Sequence, residues 1–68
     1  MRLIKLTRTL PSGVAVYINP MNIAAIDNLG NLTRVLINAP DKDGGLISIG
    51  VIEQAHIVAE MFDHAVKN

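Results

Sequence analysis

No cysteine occurs in this chain, which excludes disulfides and thiolate metal sites. Aromatic residues are nearly missing. Tyr17 and Phe62 are the only two, too few for the stacking platforms that hold single-stranded nucleic acids. Neither sign of charge dominates, with six Lys and Arg against six Asp and Glu. Nucleic-acid binders draw much of their affinity from neutralised phosphates, so an even balance weighs against that class. No apolar run approaches the ~20 residues needed to cross a bilayer. The opening residues, Met1-Arg2-Leu3-Ile4-Lys5, are interrupted by charge and form no signal-peptide core. The expected setting is the cytoplasm, with no insertion into membrane.

What the chain does have is aliphatic bulk. Half of its 68 residues are hydrophobic. A chain this short buries only about 60% of the surface its unfolded form exposes, and small domains are usually helped by disulfides, metals or self-association. Without cysteine, self-association is the aid that remains. The expected partner is therefore a protein, most simply a second copy in a homodimer or larger assembly.

The apolar residues alternate as in strands. Residues 2–8 place Ile4 and Leu6 on one face and Leu3, Lys5 and Thr7 on the other. Leu10-Pro11-Ser12-Gly13 reads as a turn. A second strand over 14–18 points Val14, Val16 and Ile18 inward. Asn19-Pro20 punctuates the chain before a third strand over 22–27, apolar on both faces and so expected to be buried on both sides. Asn28-Leu29-Gly30-Asn31 is a further turn signal, followed by a strand over 32–38 that alternates Thr33, Val35 and Ile37 with Leu32, Arg34 and Leu36. A polar loop precedes the fifth strand over 46–50, with Ile47 and Ile49 facing the core. The period then changes. Ala55, Val58, Ala59, Phe62, Ala65 and Val66 form one face of an amphipathic helix over 52–66. Glu53 and Lys67 sit at its ends where the dipole favours their signs. The predicted fold is α+β: one domain over 1–68, a five-stranded antiparallel meander or partly open small barrel, with one C-terminal helix.

The candidate chemical motifs are sparse. Asp41-Lys42-Asp43-Gly44-Gly45 resembles the start of a calcium loop, but position twelve of that loop falls on Ile52 rather than on a bidentate Glu. It reads as a tight polar turn. His56, Glu60 and His64 recur every four residues and share one helix face, yet the His-Glu-x-x-His pattern is absent, and they read as a solvated face. No metal or cofactor site is expected. No Ser or Thr has an adjacent base and orienting group in the pattern, so the chain reads as a non-enzyme. Arg2, Arg8 and Arg34 are the candidate nucleic-acid contacts, weighed against simple edge protection on an outer first strand. Ile57 and Met61 lie about 100–140° from the centre of the helix core stripe. Four residues apart, they form the candidate protein interface.

Two family resemblances follow from these residues. Ile4-Lys-Leu-Thr-Arg8, Val16-Tyr-Ile-Asn-Pro20, Ile23-Ala-Ala-Ile-Asp27 and Thr33-Arg-Val-Leu-Ile37 together resemble the FlbD-like family of small flagellar and swarming-motility proteins. The resemblance covers the first half to two-thirds of the chain and implies a small non-enzymatic, regulatory or assembly role, with no catalytic residues to carry over. The chain departs from it in the longer Thr9–Gly13 turn, the Asp41–Gly45 loop and the Ile49-Gly-Val-Ile-Glu53 step. Leu6-Thr-Arg8 and Ile37-Asn-Ala-Pro40 are also similar to the carbon storage regulator family, which implies RNA binding through a residue such as Arg8. That family's basic residue after the fifth strand and its basic helix start are missing here.

Overall fold

Alternation at Ile4 and Leu6, and again at Val16 and Ile18, builds a hairpin of β1 (Ile4–Thr7) and β2 (Ala15–Ile18). The coordinates are a computed structural model that describes residues 1–67. Lys5 stands opposite Tyr17 and Leu6 opposite Val16 in this antiparallel pair. The Pro11–Gly13 turn closes it, with the Arg8 N–H donating to the Val14 carbonyl at 2.8 Å.

The Asn19-Pro20 signal does more than separate strands. The Asn19 side-chain oxygen accepts from the Met21 N–H at 3.0 Å and caps a single 3-10 turn, Pro20–Asn22, whose first residue is proline. That turn carries the chain out of the hairpin, so β2 does not pair with the next strand. The five antiparallel strands and the C-terminal helix are those expected, and this turn divides the strands into a pair and a triplet. The second contains β3 (Ile23–Leu29), β4 (Leu32–Pro40) and β5 (Leu46–Val51), in that order and antiparallel. The five strands do not close into a barrel. Between β3 and β4, Gly30 takes a positive φ of 66° and Asn31 does not. That is the pattern of a two-residue II′ hairpin turn.

The third strand is not buried on both sides. Ala24 and Ala25 are exposed, while Ile23 and Ile26 pack on the core. Residues three apart should face opposite ways, but the register shifts between Ile23 and Ala25. This bulge absorbs one residue and turns both isoleucines to the same face.

The two sheets meet where β1 ends and β5 ends. Arg8 bridges Val51, the Thr9 N–H donates to the Gly50 carbonyl at 3.1 Å, and the Ile52 N–H donates to the Thr7 carbonyl at 3.0 Å. Glu53 adds a fourth link, its carboxylate accepting from the Thr7 N–H at 3.0 Å. These bonds extend the strand through Val51 and delay the helix. α1 runs Ala55–Lys67 rather than from 52, and Glu53 serves the sheet junction instead of the helix dipole.

Leu6, Val35, Val51 and Val58 are fully buried and centre a core that also holds Ile4, Ile18 and Ala65. α1 lies across β3, the 3-10 turn and β1. Its core face is Val58, Met61, Phe62 and Ala65, with Ala59 exposed. The stripe is thus rotated from the one expected. Turning Met61 rather than Ala59 inward removes more apolar surface from water.

Gly50 marks how close the junction is. A Cβ built there would stand 2.7 Å from Thr9 Oγ1 and 3.2 Å from Leu32 Cδ1. In an ordinary strand Gly→Val is favourable by propensity. Here overpacking should win, and Gly50→Val is expected to lower stability by about 1–3 kcal/mol. Urea unfolding measures it; a neutral or stabilising result would mean that β1 and β5 do not approach this closely.

Candidate functional site

β2 has one partner. Its other edge pairs with no strand among the described residues. The residues from Val14 to Ile18 include no charge and no proline, and the register of β2 against β1 is unbroken. Its outward side chains, Ala15 and Tyr17, are exposed, Tyr17 at 61%. Leu3, Lys5 and Val14 are exposed as well. The outer strands of the other sheet are β3, which carries the bulge at Ala24 and lies beside α1, and β5, whose Gly50–Val51 end is taken up by Thr9 and Arg8 while its Leu46–Ile49 stretch pairs with β4 alone. Bulges, charges and covering elements are the usual protections of a sheet edge. β3 has them and β2 does not.

The charges expected to guard the outer strand are on β1, which is not an outer strand along its whole length. β2 flanks it, and β5 meets its end at Arg8. Arg8 is half-buried there. Arg34 is engaged elsewhere. Its Nε and Nη2 donate to Asp27 Oδ1 and Oδ2 at 3.1 and 2.6 Å, across the β3–β4 register. Arg2 lies with Lys5, Met61 and His64 along a cleft of about 220 Å³. The candidate nucleic-acid arginines are thus distributed among a sheet junction, an ion pair and a cleft beside the helix.

On α1, the candidate interface pair separates. Ile57 is 38% exposed, but Met61 is half-buried and packs against the core. The expectation that both lie off the core is corrected by the rotation of the helix. His56, Glu60 and His64 are exposed. Among the described residues no group of three or more His, Cys, Asp or Glu side chains is placed to hold a metal. Asp41 uses its carboxylate within its own loop, where Oδ1 accepts from the Asp43 and Gly45 N–H groups at 2.8 and 3.1 Å. That is the turn chemistry expected of it.

A groove of about 600 Å³ lies between the β3–β4 turn and the start of α1. Asn28, Asn31, Thr33, Gln54 and His56 supply its polar groups. The Asn28–Asn31 signal reads in the sequence only as a turn, and nothing in the spacing connects it to residues 54–56. No cross-sequence signal could have assembled this groove without the fold.

Comparison with known protein families, curated proteins and solved structures finds no match. Among the described residues no helix is long and apolar enough to cross a membrane.

The Asp27–Arg34 pair has a direct pH consequence. The hydrogen bonds from Arg34, aided by its charge and opposed by partial desolvation, hold the Asp27 carboxyl below its ordinary value. A carboxyl lowered in the folded state contributes stability that is complete above the unfolded value of about 3.9 and is lost as pH falls through the folded one. NMR titration of the Asp27 side chain is expected to show a midpoint below that of an unfolded Asp, and Arg34→Gln should return it upward. A midpoint at or above the ordinary value would contradict the pairing.

Proposed function

We propose that this chain is a small non-enzymatic assembly module that associates with a second copy of itself through the free edge of β2. One observation carries the reading: an edge strand with no charge, proline, bulge or cover, whose outward Tyr17 stands in solvent. Its backbone N–H and C=O groups offer a template for another strand, and an identical strand is the simplest complement.

The symmetry restricts the pairing. A two-fold axis through the sheet keeps the inward faces of both copies on the same side. Residues opposite each other must share a face. In the two most central registers, Tyr17 faces either Tyr17 or Ala15 of the second copy. The result is a four-stranded sheet with a row of aromatic and aliphatic groups on its outer face.

Surface area points the same way. The chain exposes 4490 Å², against roughly 4,200 Å² expected for a monomer of its mass. The high aliphatic content of so short a chain supports association too, as does the small assembly role implied by the FlbD-like resemblance.

The test is the mass in solution by size-exclusion chromatography with light scattering. Wild type is expected to run at twice the 7.3 kDa chain mass. The Ala15→Lys/Tyr17→Lys variant puts Lys opposite Lys in either central register and is expected to be a folded monomer by circular dichroism. A monomeric wild type at high concentration, or a variant that keeps the dimer mass, would overturn the reading.

A further inference from the structure

The groove at the start of α1 is lined mainly by polar groups able to donate hydrogen bonds. The first turn of α1 contains no acidic residue. The Ile57 and Val58 N–H groups both donate to the Gln54 carbonyl at 3.0 Å. The Ala55 and His56 N–H groups come earlier, where an α-helix has no internal acceptors. Position 54, just before the helix, is Gln rather than the Ser, Thr, Asp or Asn that commonly caps such a terminus. The nearest acid, Glu53, points its carboxylate at the Thr7 N–H. The positive end of the helix dipole therefore meets the groove without a neutralising side chain.

Thr33 is a second, independent observation. It lies on β4, away from the helix in sequence, and lines the same groove. It is only 5% exposed. Among the described residues no group is hydrogen-bonded to its hydroxyl, and no polar side-chain atom is sealed from solvent without a partner. The hydroxyl therefore opens onto the groove. A nearly buried polar group without a protein partner calls for a water or a ligand to satisfy it.

We propose that this groove binds a phosphate group, presented as free phosphate or as a small phosphomonoester. The chemistry of the walls selects an oxyanion. Asn28, Asn31 and Gln54 contribute amide donors, Thr33 a hydroxyl and His56 an imidazole. Among the described residues no Asp or Glu lines it to repel an anion, and no Lys or Arg lines it either. Recognition then rests on neutral donors and the helix terminus, a known mode for phosphate. The volume of about 600 Å³ exceeds a bare phosphate and leaves room for an organic remainder beside the apolar Ile52.

The experiment is an NMR titration of the full chain at fixed ionic strength. Its three arms are inorganic phosphate, ribose 5-phosphate and chloride. Saturable shifts of the Ala55, His56 and Asn31 amides with the phosphate probes, but not with chloride, are the expected result. Tighter binding of the ester would identify a phosphomonoester as the source, and equal binding would identify free phosphate. Thr33→Val keeps the β-branched shape and removes only the hydroxyl. It should weaken binding at least about tenfold, as expected for a lost bond to a charged group. Asn31→Ala, in an exposed turn, gives a second loss that does not touch the core. The proposal is overturned by shifts that do not saturate at tens of millimolar phosphate, by equal shifts with chloride, or by wild-type affinity in both variants.

Discussion

The junction between the end of β1 and the end of β5 is the contact on which the rest of the structure depends. A two-stranded hairpin is not independently stable, and a three-stranded sheet needs something against its apolar face. Arg8 opposite Val51, Thr9 bonded to Gly50 and Ile52 bonded to Thr7 join the two into one array. Leu6 and Val51 are fully buried on either side of it. Gly50 makes the approach possible, because any side chain there would meet Thr9 and Leu32. The junction also sets the start of α1 through Ile52 and Glu53, and so the position of the helix terminus at the groove.

The same junction decides which edges remain open. β1 is occupied on one side by β2 and at its end by β5, so the open edge passes to β2. In the second sheet, β3 is bent by its bulge and accompanied by α1, and β5 is joined to the Arg8–Thr9 segment at its Gly50–Val51 end. β1 carries Lys5 and is followed by Arg8, whereas β2 carries no charge. In a chain too short to enclose all its aliphatic residues, the unprotected edge of β2 is where the proposed second copy would pair.

Much of the architecture was legible in the sequence. β1 and β4 follow from strict alternation at Ile4/Leu6 and Thr33/Val35/Ile37, because a period of two leaves only one way to bury those side chains. The change of period after Val51 announces the helix. Three features were not legible, each for a physical reason. The bulge at Ala24 hides in an apolar run that looks doubly buried. The capped 3-10 turn after Asn19 resembles any Asn-Pro turn, yet it parts two sheets. The rotation of α1 depends on whether Met61 or Ala59 fills the space above β1, which helix periodicity does not determine. The sites were less legible still. Asn28, Asn31, Gln54 and His56 have the composition of ordinary solvated surface, and only the fold brings them round Thr33. Ile57 and Met61 looked contiguous because they are four apart, and packing separated them.

Amide hydrogen exchange under native conditions tests the junction most directly. If it is part of the one cooperative unit, the Thr9 and Ile52 amides exchange only through global unfolding. Their opening free energy should then equal that of the slowest amides in β4. Exchange of Thr9 and Ile52 at rates typical of a fraying end, while β4 remains protected, would show that the two sheets are joined by something other than this junction.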